Sequence, residues 1–169
     1  MKIFLASDHA GFELKAKIKT YLEKSGYEIR DLGPFEFDKD DDYPDFIRPA
    51  AEAVAACENK NEIDGFLSCA AIIMGGGGQG EAMVANRVRG VRAAIFYGPR
   101  VPVGAADVSG RVSQDPYEQI RLAREHNNAN ILSFGARFVT EEEAYKAIDI
   151  FLATPFSLEP RHQRRIDKF

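Results

Sequence analysis

The chain has 169 residues, a mass of 18.8 kDa and a net charge of −4, with 45% hydrophobic and 28% charged residues. These figures suit one globular domain with one core and exclude a disordered chain. The acidic balance argues against a general nucleic-acid or anionic-membrane surface, so an anionic ligand needs a local cationic pocket.

No apolar run reaches the roughly 18 residues of a membrane span, and MKIFLASDHAG turns charged too early for a signal peptide. Cys57 and Cys69 form no CxxC pair. That speaks against a disulfide framework or a cysteine zinc site and fits a reducing cytoplasm. His9, His126 and His162 lie far apart in sequence, with no HxxxH pair.

In chain order, Lys2–Ser7 is a β-rich run ending at Asp8. Phe12–Lys24 changes period, with Leu14, Ile18, Tyr21 and Leu22 on one helical face. Ser25-Gly26 ends that helix, and Tyr27–Asp31 reads as a second strand. Leu32–Asp42 is a loop whose acidic run, Asp38–Asp42, is most simply solvated. Pro44 and Pro49 open an alanine-rich helix ending near Cys57, with Pro49 expected near the first turn.

Ile63–Met74 is apolar and runs into Gly75-Gly76-Gly77-Gly78-Gln79-Gly80. Glu81–Asn86 continues as a short helix, and Gly90–Phe96 is a fourth strand. Residues 98–115 lack periodicity and read as a long excursion loop. Tyr117–Glu125 is helical, Asn130–Phe134 is a fifth strand, and Thr140 with Glu143 forms a capping box. The helix behind that box buries Ala144, Ile148, Phe151 and Leu152. A basic segment, RHQRRIDK, lies within residues 156–169. The alternation predicts an α/β fold: a single Rossmann-like three-layer sandwich over residues 1–169, with a five-stranded parallel sheet in the order 2-1-3-4-5.

Ligands of open α/β sheets bind beyond the carboxyl ends of the strands, at the switch point. Asp8-His9-Ala10-Gly11 and 75–81 are the two loops placed there. The glycine N–H groups can form an anion nest or steady an enolate oxygen; the alternative is a flexible turn. Gly75, Gly77 and Gly80 match GxGxxG, but on the third strand, and Arg100 stands where a ribose-binding acid belongs. The loop lacks the GK[ST] of a P-loop, and Gly75 replaces the aspartate of a phospho-receiver. Arg161 and Arg165 are four apart, so a helix puts them on one face, where guanidinium forks suit a phosphate dianion. Arg137 follows the fifth strand and is expected near the same edge. His126 alone reads as a cap or packing residue, Asp8 and His9 as caps, and Cys69 as a packed thiol.

Five segments occur together: SDHAGFELK at 7–15, DYPDF at 42–46, GGGGQGEAMVANRVRGVRAA at 75–94, LAREHNNANILSFGARF at 122–138 and RHQRRID at 161–167. In this order they resemble the ribose-5-phosphate isomerase B family, which includes the galactose-6-phosphate isomerase subunits. The resemblance implies a metal-free and cofactor-free aldose–ketose isomerisation through an enediol(ate). Many members use a cysteine base at the first glycine-loop position, here Gly75. A second branch carries a glutamate in GxGxGE, which implies Glu81 as the base. An alternative alignment uses Cys69 and loses the adjacent glycines.

The resemblance further implies that His126 with Asp8 opens the furanose ring. His9, Arg137, Arg161 and Arg165 would bind the phosphate. Tyr43, Asn127 and the amides of Gly76, Gly77, Gly78 and Gly80 would contact the sugar. It implies a cytoplasmic homodimer, or a dimer of dimers, with shared sites in which Asp8, His9 and Glu81 of one subunit meet His126, Asn127 and Arg137 of the other. Gly77 replaces the family's usual Ser or Thr, and the excursion at 98–115 is longer than usual. Rival readings are an isomerase of galactose 6-phosphate or allose 6-phosphate, a non-catalytic sugar-phosphate binder and a dinucleotide module.

Overall fold

The computed structural model describes residues 1–57 and 64–168. Side-chain alternation builds its three layers. In β1 (Lys2–Ser7), Ile3 and Leu5 enter one core while Phe4 and Ala6 enter the other. A strand buried on both faces reads as a continuous apolar run. β3 (Cys69–Gly75) and β5 (Ile131–Gly135) share this character and are buried along their whole length. β2 (Glu28–Asp31) and β4 (Ala93–Phe96) are partly exposed.

All five strands are parallel, in the order β2-β1-β3-β5-β4. The expected order 2-1-3-4-5 is therefore corrected at its last two places. The fully buried β5 takes a neighbour on each side, whereas the half-exposed Ala93-Ala94-Ile95 tolerates an edge. The exchange sets the end of β5, and Arg137 after it, beside the glycine loop.

The helices α1 (Phe12–Lys24), α4 (Glu118–Asn127) and α5 (Glu141–Ala153) cover one face of the sheet, and α2 (Pro44–Ala56) and α3 (Gln79–Ala85) the other. A short α6 (Pro160–Ile166) packs on α4. The capping box forms as expected: the Thr140 hydroxyl accepts from the Glu143 N–H, and the Glu143 carboxylate accepts from the Thr140 N–H (2.8 Å). Ala144, Ile148, Phe151 and Leu152 are buried behind it.

Three expectations change. Pro49 lies in the second turn of α2, on its exposed side, because the helix already begins at Pro44. The apolar stretch 63–74 becomes a strand only from Cys69; Ile63 is outside the described residues. Cys57 and Cys69, read as unpaired thiols, are joined in a disulfide. The end of α2 and the start of β3 meet through tertiary packing, which no short-range cysteine spacing announces.

Residues 98–115 form neither helix nor strand, as expected, but the loop is well tied down. Arg111 pairs with Asp107 (3.1 Å), Glu118 (2.7 Å) and Glu125 (3.3 Å). Glu118 opens α4 and Glu125 lies near its end. The excursion thus leaves the carboxyl end of β4 and folds back along α4 towards His126. Its tip is not held at the glycine loop, where its two ends alone would place it.

Candidate active site

The connections of β1 and β3 leave the sheet in opposite directions, which opens a crevice at their carboxyl ends. Asp8 stands on one side of it. Its N–H donates to Met74 O (3.2 Å), and its carboxylate accepts from the Gly11 N–H (2.9 Å). It therefore does cap the following turn, and it is also buried, at 7% exposure.

The glycine loop forms the other side. Gly78 caps α3 with φ +71°, a conformation that favours glycine. Its carbonyl accepts from the buried Ser133 hydroxyl (2.7 Å). The N–H groups of Ala136 and Arg137 donate to the carbonyls of Gly75 (2.8 Å) and Gly76 (3.3 Å). These bonds draw the end of β5 over the loop. A Cβ on Gly76 would lie 3.1 Å from Arg137 Cζ, and one on Gly80 would lie 2.8 Å from the Tyr43 ring. At Gly77 the space is open.

Glu81, in the first turn of α3, is 4% exposed. Its carboxylate lies over Gly75, so that any Cβ there would collide with it. Burial pushes its pKa above the ordinary carboxylate range; the Asp8 charge adds to this, while the backbone N–H groups of Glu81 and Gly78 act against it. A buried carboxylate beside another acid has the raised basicity of a proton acceptor. His9 completes this cluster, its Nδ1 lying 2.7 Å from Asp41 Oδ1.

Asp8, His9, Tyr43, Gly76, Gly77, Gly78, Gly80, Glu81 and Arg137 are therefore brought together within one chain. His126, Asn127, Arg161 and Arg165 are not among them. α4 ends at Asn127 and β5 begins at Ile131, so His126 lies at the amino ends of the strands, across the sheet from Glu81. A groove of about 490 Å³ lies at that far end, lined by Asn127, Arg92 and Ile166 among others, and not at the glycine loop. Arg137 accordingly belongs with Glu81 in the same chain and not with the His126 group, which corrects the expected division. It also stands apart from Arg161 and Arg165, which share α6.

The second cluster has its own order. The His126 and His162 rings lie 4.2 Å apart, so histidines remote in sequence meet in the fold. His162 is buried, and its Nδ1 bonds the Ser157 hydroxyl (2.8 Å). The Ser157 N–H donates to Glu125 O (3.1 Å), which ties α6 to α4. Burial lowers the His126 pKa; His162 and Arg161 push the same way, while Glu125 and Asp107 oppose them. Arg161 pairs with Glu159 (2.6 Å), and Arg165 is exposed.

Asp41, Ser133 and His162 escaped the sequence reading. Asp41 is hidden in a run of like charges, and Ser133 is one polar residue in an apolar strand. The signal for His162 was its place between two arginines of interest. Among the described residues, no group of three or more His, Cys, Asp or Glu could hold a metal ion. No described helix is long and apolar enough to cross a membrane.

A family model described as Ribose/Galactose Isomerase matches residues 3–102 and 108–169, and leaves out only 103–107 of the excursion within that span. Ribose-5-phosphate isomerase B of Mycolicibacterium paratuberculosis is 41% identical over 167 residues, covering 99% of this chain and 88% of the relative. The crystal structure of ribose-5-phosphate isomerase B from Mycoplasma genitalium with bound ribulose-5-phosphate is similar at TM-score 0.79 and 38% identity, over 99% of this chain and 92% of that one. The Clostridium thermocellum ribose-5-phosphate isomerase B structure gives TM-score 0.79 at 34% identity, over 99% and 94%. With residues 3–102 and 108–169 matched, nearly the whole of its length, the chain belongs to the Ribose/Galactose Isomerase family.

Proposed function

We propose that this chain is an aldose–ketose isomerase that interconverts ribose 5-phosphate and ribulose 5-phosphate, with Glu81 as the base. The observation that carries this reading is the seat of the Glu81 carboxylate over Gly75. In the other branch of the family that loop position bears the cysteine base. Here the glutamate reaches the same place from the helix, and a glycine leaves room for it.

Glu81 takes the proton from C2 of the open-chain aldose. The C2–H electron pair becomes the C1=C2 bond of the enediolate, and negative charge moves to O1. The glycine-loop N–H groups are suited to steady that oxygen. The O2 proton then passes to O1 and the O2–H electron pair forms the C2=O bond, while the C1=C2 pair takes the proton back from Glu81 at C1 and leaves a C1 hydroxymethyl group. Asp8 and His126 assist ring opening, and Tyr43 and Asn127 hold sugar hydroxyls. His9, Arg137, Arg161 and Arg165 bind the phosphate. The reaction needs neither metal nor cofactor.

Two clusters at opposite ends of one sheet cannot serve one substrate. The site is therefore completed by a second copy, in a homodimer whose His126, Asn127, Arg161 and Arg165 meet the Glu81 cluster of its partner. The excursion, which runs along α4 towards His126, then bounds the mouth of that composite site. We place the enzyme in the cytoplasm on the family resemblance alone, because the Cys57–Cys69 disulfide withdraws the argument from unpaired cysteines. Cys69 begins β3, bonded to Cys57 at the end of α2, and Glu81 lies beyond the far end of the strand, roughly 20 Å away at strand rise, so Cys69 takes no part in the reaction.

Coupled assays on ribose 5-phosphate, galactose 6-phosphate and allose 6-phosphate test the reading. The highest kcat/KM is expected for ribose 5-phosphate. Turnover confined to a hexose phosphate would reassign the substrate, and binding without turnover would make the chain a sugar-phosphate binder.

A further inference from the structure

We propose that Asp41 is a positioning residue for phosphate recognition: it grips the Nδ1 and backbone N–H of His9 and so presents the imidazole Nε2–H to the substrate's phosphate. The inference rests on the reading above that His9 meets a phosphate.

Asp41 Oδ1 lies 2.7 Å from His9 Nδ1 and accepts from the His9 N–H at 3.2 Å. One oxygen thus fixes both the ring and the backbone that carries it. A carboxylate only accepts, so Nδ1 must carry a proton in this contact. If the ring is neutral, Nε2 then holds a lone pair, which repels a phosphate oxygen. Only the cation donates from both nitrogens. The pairing therefore decides what the free edge of His9 offers.

The charged groups facing the ring all bear on this outcome. The Asp41 hydrogen bond most strongly raises the His9 pKa; burial opposes it, the Asp8 and Asp41 charges add to it, and Arg137 acts against it. Arg137 is itself a phosphate ligand in the proposed site, so the cationic imidazole and the guanidinium would face the same anion.

The rest of the acidic run behaves differently. Asp40 is 79% exposed, and the Asp38 carboxylate turns back to accept from the Asp40 N–H (3.0 Å). The Asp41 side chain is only 6% exposed, and its Oδ2 is buried with no hydrogen-bond partner among the described residues. Burying a carboxylate with one oxygen unbonded costs stability. Such a placement is not what a solvating surface loop produces, and it fits a residue kept for its partner.

The test compares wild type with Asp41→Asn, Asp41→Glu and the exposed control Asp40→Asn. Imidazole titration by NMR follows His9, and calorimetry measures the affinity for inorganic phosphate from acid to alkaline pH. In Asp41→Asn the His9 pKa is expected to fall, with phosphate bound roughly tenfold more weakly near neutrality, the order of one charge-assisted hydrogen bond. The gap should close at acid pH, where both rings are charged. Asp41→Glu should recover part of the affinity, and Asp40→Asn should match wild type. An unmoved His9 titration, or a phosphate affinity that is unchanged or lowered equally at every pH, overturns the proposal. Neither readout needs turnover. An inactive wild-type protein would therefore count against the isomerase reading alone.

Discussion

The carboxylate of Glu81 fills the space that a side chain on Gly75 would occupy. The two positions are six apart in sequence and belong to different elements, the end of β3 and the first turn of α3. Only one of them can place a side chain there. The glycine and the glutamate are thus a matched pair, and either one changed alone disturbs the other.

The first expected outcome concerns that pair. Glu81→Gln keeps the shape but removes the base, so turnover of ribose 5-phosphate should fall about 10²–10⁴-fold with binding retained. Gly75→Ala should also lose most activity, because its methyl displaces the carboxylate. Cys69→Ala should keep kcat, with a loss of stability of up to about 2–4 kcal/mol from the opened disulfide, read by thermal melting.

A second outcome separates neighbouring glycines. The space beside Gly77 is open, whereas Gly76 faces the Arg137 guanidinium. Gly77→Ser should fold and turn over with KM unchanged or lower, since it adds a hydroxyl beside the sugar. Gly76→Ser should raise KM by displacing Arg137. Steady-state kinetics on both variants decides this; equal damage at the two positions would refute the assigned seat of Arg137.

The third outcome is a pH profile. Glu81 must be ionised to accept a proton, and burial followed by the Asp8 charge raises its pKa. As pH falls through that raised value, kcat/KM should drop, and the acid limb should lie above the ordinary glutamate range. Asp8→Asn removes one of the two raising influences, so the limb should move to lower pH even though ring opening slows. A limb that stays in place would exclude coupling between the two acids.

Arg161 and Arg165 give a fourth outcome. Each Arg→Ala change should raise KM for ribose 5-phosphate by roughly 10–100-fold, the equivalent of about 1.5–3 kcal/mol for one hydrogen bond to a charged group. The folded state should be little altered, because Arg165 is exposed. Unchanged kinetics in the double variant would remove both residues from the site.

The layers, most element boundaries and the convergence of the Asp8-His9 loop with the glycine loop were legible in local pattern, whereas Glu81 and Tyr43 entered through the family resemblance. α1 spans the expected residues, and the loops after β1 and β3 converge because parallel strands bring their ends to one edge. The order of β4 and β5 was not legible, since both are short apolar runs and only tertiary burial tells centre from edge. Nor was the Cys57–Cys69 bond, which depends on how α2 and β3 pack. Asp41 differs from Asp40 and Asp42 only in the direction its side chain takes. The expected grouping of Arg137 with His126 gave way because the backbone bonds that draw Arg137 over Gly76 depend on β5 lying beside β3.

The most direct test of the account mixes two inactive proteins. Glu81→Gln has an intact His126 cluster, and His126→Ala has an intact Glu81 cluster. After subunit exchange, proven by mass-labelled chains, half of the dimers in an equal mixture are mixed. Each of those carries one site with both clusters intact, so roughly a quarter of wild-type activity on ribose 5-phosphate should return. No recovery despite complete exchange would contradict a site that joins Glu81 of one chain to His126 of another.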